Sequence, residues 1–442
     1  MQISPARRAA FAILRRVEDG GYSSALLARE DVDLTGKDRG LCHELVLGVL
    51  RRRLWLDRAL EHFAARKIDS LDLPVTVALR LGLYQLRFLS RVPASAAINE
   101  SVNLVKAARL KSAAPFVNGV LRGATREPNY DPRTEAKDPI ERIAIETSHP
   151  PWLIERWRAQ FGYEEGSALA RANNQPAPLA FRFTARAFGE TERSTIIKEL
   201  RAAGAELLES RITPDAWRVD RVPDLLRKLA ERGLIYFQDE ASQLVAHVVG
   251  AGVRDRVLDV CAAPGSKSTS IAAQAPESFI VAADLYEHRL RTLKELANNQ
   301  QVNNILFVVH DALRALPFEE SSFDRVLVDA PCSGTGTLRH NPEIRWRLKP
   351  ADIPNLAGKQ KQIINNASAM VRTGGLLIYS TCSLETDENE AVVTEFLEEH
   401  PHFQPSHLKA PSDLETKAEA LRTWPHLEDV DGFFVMAFRR KA

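Results

Sequence analysis

From about residue 236 to the end, short runs of aliphatic and β-branched residues alternate with stretches of helical period, and few folds accept that alternation. Strands are predicted over 256–261, 279–285, 305–309, 325–329, 375–381 and 433–439, with helices such as 287–300 and 352–371 between them. Strands separated by helical crossovers pair in parallel and need cover on both faces, so the pattern predicts a largely parallel, doubly wound α/β sheet of the Rossmann type. Ligands of such sheets bind outside the carboxyl ends of the strands, near the point where strand order reverses. Residues at those ends are therefore the first candidates for chemistry.

The whole chain has 442 residues, too many for one domain of the usual ~150. Residues 1–127 read as helical throughout, with apolar stripes such as Phe11, Leu14 and Val17, or Leu79, Leu83 and Leu86, at helical spacing. A stretch rich in proline and charge, 127–151, reads as a linker. Beyond it, 179–184 alternates, 195–208 is helical and 216–222 alternates again, as expected for a small α+β insert. The expected organisation is multidomain: an all-α bundle over 1–130, a linker and α+β subdomain over 131–235, and the α/β domain over 236–442.

Net charge is +1, but it is unevenly spread: residues 1–130 carry +8 and the remainder −7. A basic unit joined to a mildly acidic one suggests a polyanionic partner, and nucleic acid is the commonest soluble candidate. Arg51, Arg52 and Arg53, with Arg80, Arg87 and Arg91, are the first candidates for phosphate contacts. The most apolar stretch, 75–89, is interrupted by Arg80 and Arg87, and the N-terminus lacks an apolar core, so neither a membrane span nor a signal peptide is expected. Four cysteines without CxxC spacing argue against a zinc site or a disulfide framework; a reducing cytoplasm fits, and no metal is expected.

Three strand ends point to a nucleotide-like ligand. The first runs into Cys261-Ala262-Ala263-Pro264-Gly265-Ser266-Lys267, where small residues meet a helix N-terminus that offers free N–H donors. A Walker A loop ending at Lys267-Ser268 would need glycine at 261 and 266, and the dinucleotide fingerprint is absent as well. The second strand ends at Asp284, suited to ribose hydroxyls, and the third is followed by Asp311, suited to a base. The fourth and fifth end in Asp329-Ala330-Pro331-Cys332 and Ser380-Thr381-Cys382. Cysteine is often a small buried hydrophobe, and Cys42 and Cys261 read that way. Cys332 and Cys382 instead follow strands in loops rich in Pro, Ser, Thr and Gly, where a thiolate nucleophile and the Asp329 acid would face one pocket. Cationic or dipolar neighbours are expected to lower the thiol pKa there.

The strings LDVCAAPGSKS, DAPCSGTG and YSTCS closely resemble the NOL/NOP/Sun family of S-adenosylmethionine-dependent RNA cytosine-5 methyltransferases. The likeness spans roughly residues 150–442 and departs at Ser266, where the family commonly has glycine. In the first unit, Leu79-Arg80-Leu81-Gly82-Leu83-Tyr84-Gln85-Leu86 and Phe116-Val117-Asn118-Gly119-Val120-Leu121-Arg122 are similar to the RNA-binding bundle of the NusB family. A NusB-like unit fused to a Sun-type catalytic domain resembles the bacterial enzymes that methylate one cytosine of 16S rRNA at carbon 5.

The resemblance implies that Cys382 attacks carbon 6, Asp329 hydrogen-bonds or protonates N3, and Cys332 assists release. It also implies that residues 261–267, Asp284, Asp311 and Asp329 hold S-adenosylmethionine. No DNA partner is expected. A tRNA cytosine-5 methyltransferase and a non-catalytic antitermination factor are the competing readings. An amino-group methyltransferase would carry an Asn/Asp-Pro-Pro-aromatic motif at Asp329-Ala330-Pro331-Cys332.

Overall fold

The computed structural model describes residues 3–30, 34–187, 189–416 and 419–442. The chain forms two compact units, Met1–Pro176 with Leu338–Pro350, and Ala177–Thr337 with Ala351–Ala442.

The first unit is helical. Helix Pro5–Glu18 buries Ala6, Ala10, Ile13, Leu14 and Val17 on one face and exposes Arg8, Arg15 and Arg16 on the other. Helix Leu73–Phe88 starts with proline in its first turn and is buried without a break from Val75 to Gln85. It runs through the centre of a core to which helices Gly36–Arg51, Arg53–Ala64, Ala94–Ala107 and Ala114–Arg126 also contribute.

Most of the arginines expected at phosphates are instead spent inside this unit. Arg80 is 5% exposed, with its guanidinium on Asp57 at 2.7 Å and on Glu18 at 2.8 Å. Arg87 donates to the carbonyls of Ala124, Glu127 and Pro128. Arg51 and Arg52 donate to the carbonyls of Arg339 and Glu146, and Arg53 pairs with Glu18 at 3.3 Å. A buried guanidinium needs partners for its five donors, and the helix ends and acids around these residues supply them. Arg91 alone of the six is exposed without such a role.

The stretch read as a linker is also ordered: helix Pro139–Thr147 is capped by Asp138 and buries Ile143, Ala144 and Ile145. Residues 338–350 follow the Cys332 loop in sequence but fold with the helices. Glu343 accepts from the Ser23 N–H at 2.8 Å and from its hydroxyl at 2.7 Å. Arg347 donates to the carbonyls of Val17 and Gly21, each at 2.6 Å. Arg345 is wholly buried among the carbonyls of Thr147, Ser148 and Asn173. Burial, with Arg51 nearby, pushes its pKa down to about 9.

The second unit carries two sheets. The smaller has strands β1 (Leu179–Phe183), β2 (Leu207–Glu209), β3 (Ala216–Val219) and β4 (Ile235–Phe237) in the order β2-β3-β1-β4, all antiparallel. Helices Glu190–Ala202 and Asp224–Glu231 complete a βαββαβ, ferredoxin-like subdomain. Residues 203–208, expected to prolong the first of these helices, instead turn at Gly204 with φ +92° and enter β2.

The larger sheet is the α/β one. It comprises β5 (Arg256–Asp259), β6 (Phe279–Asp284), β7 (Ile305–Val309), β8 (Phe323–Asp329), β9 (Val371–Thr381), β10 (Phe403–Pro405), β11 (Leu421–Arg422) and β12 (Phe434–Arg440). The order is β10-β12-β9-β8-β5-β6-β7, with β11 paired to β12. Strands β5 to β9 run parallel, and β12 is antiparallel to β9. Strand order reverses between β5 and β8, so the ends of β5, β6, β8 and β9 meet at the switch point. Among the described residues no helix is long and apolar enough to cross a membrane.

Candidate active site

Strand β5 ends at the buried Asp259, whose carboxylate accepts from the Ser268 hydroxyl at 2.6 Å. Burial, with Asp329 nearby, pushes the Asp259 carboxyl up to about 7. The chain then forms the loop Cys261-Ala262-Ala263-Pro264-Gly265, and Ser266 opens helix Ser266–Gln274. Gly265 has φ +111°, and a Cβ there would lie 2.3 Å from Leu293 Cγ, so only glycine permits this turn. Ser266 lies past the turn at the start of the helix and is not among the residues with positive φ, so its side chain is compatible with the loop. The Cys261 thiol is pushed well up by burial, then by Asp259, Asp329 and Asp284, which keeps it protonated and chemically quiet.

Asp284 closes β6 and is 5% exposed; its carboxylate accepts from the Ala263 N–H at 3.1 Å and the Tyr286 N–H at 3.0 Å. Arg289 donates to the Ala263 carbonyl at 2.6 Å. Beside this acid Leu285 and Tyr286 are 49% and 51% exposed, an apolar surface next to a carboxylate. Asp311, after β7, accepts from the Leu313 N–H at 3.1 Å. An adenosyl group fits these residues: a loop at a helix N-terminus, an acid for hydroxyls, apolar side chains for a ring and a second acid for its edge.

Strand β8 ends at Asp329. Its Oδ2 accepts from Lys267 Nζ at 2.7 Å and its Oδ1 from the Ser380 hydroxyl at 2.7 Å. Burial opposes the charge on Lys267, but Asp329 above all, then Cys382 and Asp259, raise its pKa and hold it as an ammonium. The amine also lies 5.0 Å from the centre of the Phe433 ring. Lys267 thus reaches from the first turn of the helix after β5 to the acid at the end of β8.

The two thiols meet. Pairing of β8 with β9 runs to Asp329 opposite Ser380, and beyond it Cys332 Sγ and Cys382 Sγ approach to 3.3 Å. The expectation of a lowered thiol pKa does not hold at Cys332. Its hydrogen bond to Cys382 comes first, then burial and the charge of Glu388, and together they push the pKa well up, so Cys332 stays a thiol. A protonated Cys332 is a donor for sulfur at position 382.

Downstream, Gly336 N–H donates to the Cys382 carbonyl at 2.9 Å, and Gly432 N–H to the Gly336 carbonyl at 2.9 Å. A Cβ on Gly336 would stand 1.9 Å from the Gly432 oxygen, so the loops around both cysteines meet through bare backbone.

Sequence reasoning passed over Ser380, Glu388 and Gln360, which lie on or beneath this site. Ser380 lies within the named motif YSTCS but was given no role there. Glu388 and Gln360 carried no visible signal, because only the folded loops bring them near the cysteines.

A cofactor-type loop at a switch point, with an acid, an ammonium and two thiols beyond it, defines the site of a class I methyltransferase. The family model described as 16S rRNA methyltransferase RsmB/F matches residues 246–439. The NusB family model matches 4–126, and the RsmF/B-like ferredoxin-like domain model matches 149–232. The probable ribosomal RNA small subunit methyltransferase B of Bacillus subtilis is 34% identical, covering 97% of each chain. The ribosomal RNA small subunit methyltransferase B of Yersinia pestis is 31% identical, covering 98% of each. The crystal structure of PH0851 superposes with a TM-score of 0.86 at 25% identity, covering 100% of both chains. The chain belongs to the ribosomal RNA small subunit methyltransferase B family.

Proposed function

We propose that this chain methylates carbon 5 of a cytosine in 16S rRNA from S-adenosylmethionine, with Cys382 as nucleophile. The observation that carries the reading is the approach of two thiols to 3.3 Å beside the Lys267–Asp329 pair. Membership of the family supports the substrate class and the cofactor. The cofactor supplies an electrophilic methyl group when bound. Residues 261–267 with Asp284, Asp311 and Asp329 would hold it.

Carbon 5 of cytosine is a weak nucleophile. The Cys382 thiolate forms a bond to carbon 6 and pushes electron density towards carbon 5. Asp329, with Lys267 as its proton partner, hydrogen-bonds or protonates N3 and so stabilises that density. After methylation the carbon-5 proton passes to solvent, its electron pair re-forms the C5=C6 double bond, the C6–S bond breaks, and Cys382 is released from carbon 6 as the thiolate. Cys332, kept protonated, donates to the departing sulfur and so assists release. The target base must leave its stack to reach these groups, which favours a single-stranded or remodelled segment.

The helical unit supplies RNA affinity in this reading, with 131–176 and 338–350 folded into it; the rest of 131–235 is the connecting subdomain and the rest of 236–442 the catalytic domain. The cytoplasm is the compartment such a substrate implies. Bisulfite sequencing of RNA from a deletion strain tests the function. One 16S cytosine should lose its methyl group and regain it on complementation with the wild type. Unchanged 16S rRNA, with a methyl group lost from tRNA instead, would overturn the substrate assignment.

A further inference from the structure

The β8–β9 ladder stops short of both cysteines, so something else must set the distance between their loops. Glu388 is fully buried and lies beneath them. One oxygen accepts from the Ser333 N–H at 2.9 Å and from Gln360 Nε2 at 2.9 Å. The other accepts from the hydroxyls of Ser333 and Ser383, each at 2.5 Å. Ser333 and Ser383 are the residues that directly follow the two cysteines, and their hydroxyls lie 3.0 Å apart. Gln360 also donates to the Pro331 carbonyl at 3.0 Å, and the Tyr379 hydroxyl donates to the Glu388 carbonyl at 2.6 Å. Four donors thus fill the acceptor sites of one carboxylate, and among the described residues no cation pairs with it.

We propose that Glu388 is the positioning residue that locks the Cys332 and Cys382 loops in register for attack and release. The proposal rests on the thiol chemistry proposed above. The charge of Glu388 opposes ionisation of Cys332, so the carboxylate does not serve to activate a thiol. What it offers is acceptor geometry: all four groups around it are donors, and an amide in its place would turn an NH2 towards some of them.

The test uses the full chain, S-adenosylmethionine and an unmodified 16S rRNA transcript, in the Cys332→Ala background where release is blocked. Cys332→Ala should accumulate an RNA adduct resistant to denaturant. Adding Glu388→Gln should slow adduct formation at least about 50-fold, the scale expected for a nucleophile misplaced by about 1 Å. Cofactor affinity by calorimetry and the RNA concentration that gives half the maximal rate of adduct formation should stay within about threefold, so that the loss falls on the maximal rate. An equal rate with and without Glu388→Gln, or a faster one as removal of a negative charge alone would give, overturns the proposal.

Should Glu388→Gln fail to fold, Ser333→Ala with Ser383→Ala removes the two hydroxyl donors and leaves the carboxylate. This pair should slow the adduct roughly tenfold, and an unchanged rate overturns the proposal as well. Failure of Cys332→Ala itself to give an adduct counts against the thiol mechanism and is read separately.

Discussion

Cys332 and Cys382 lie sulfur to sulfur at 3.3 Å, on loops that leave two adjacent parallel strands. A disulfide needs the sulfurs at about 2.05 Å, a short further approach. Diamide should therefore oxidise the pair, taking up the two protons and two electrons that the thiols lose. Two of the four thiols should vanish from a thiol count, methyl transfer should stop, and dithiothreitol should restore both. Four thiols that persist while wild-type activity continues would contradict the geometry.

Lys267 and Asp329 act as one unit in this account. Lys267→Met and Asp329→Asn should each lower kcat by about 10²–10³, the usual worth of a positioned proton donor or charge. The double variant should be little worse than either single one, because each removes the same pair. Losses that multiply in the double variant would show two independent roles.

Asp259 makes stability depend on pH. Its folded-state pKa is raised to about 7 from an unfolded value of about 3.9, so between those values the folded protein holds a proton that the unfolded chain has released. This group's contribution is full below about pH 4 and is lost as pH rises through about 7. Relative to the wild type, Asp259→Asn should melt at progressively higher temperature across that window and level off above it. A difference in melting temperature that is flat with pH would contradict the assignment.

Arg80 should matter for folding and not for RNA. Arg80→Ala takes from Asp57 and Glu18 their nearer partner, leaving Arg53 at 3.9 and 3.3 Å, and should cost about 2–4 kcal/mol, less than a fully buried pair because both acids are partly wet. The salt dependence of RNA binding by the folded fraction should not change. Arg109 and Lys111, both exposed, are better placed to meet phosphates. Converting both to Glu should reduce the salt slope by about 2 with little change in melting. Deleting the helical unit is a poor substitute for these variants, since Ser23, Val17 and Gly21 hold Glu343 and Arg347 of the segment that follows the Cys332 loop.

What the sequence made legible was whatever its local period and punctuation encode. The parallel strands, the Gly265 turn and the acids at strand ends were all within reach, because each depends on residues close in the chain. The fate of the arginines was not: Arg80 on a helix reads as a wet face until Asp57 and Glu18 arrive from two other helices. The helix at Pro139–Thr147 was hidden by flanking prolines and charges, which are its N-terminal punctuation as much as a linker's composition. Residues 338–350 read as part of the α/β domain because they lie between two of its strands, and only tertiary contacts assign them to the helices. Glu388 stayed hidden for the same reason.

Whether Cys382 is the nucleophile is decided by incubating Cys332→Ala with S-adenosylmethionine and unmodified 16S rRNA, then mapping the denaturant-resistant RNA–protein linkage by mass spectrometry. The linkage should run through residue 382, and none should form when Cys382→Ala is added. A linkage elsewhere, or methyl transfer that survives Cys382→Ala alone, would contradict that role.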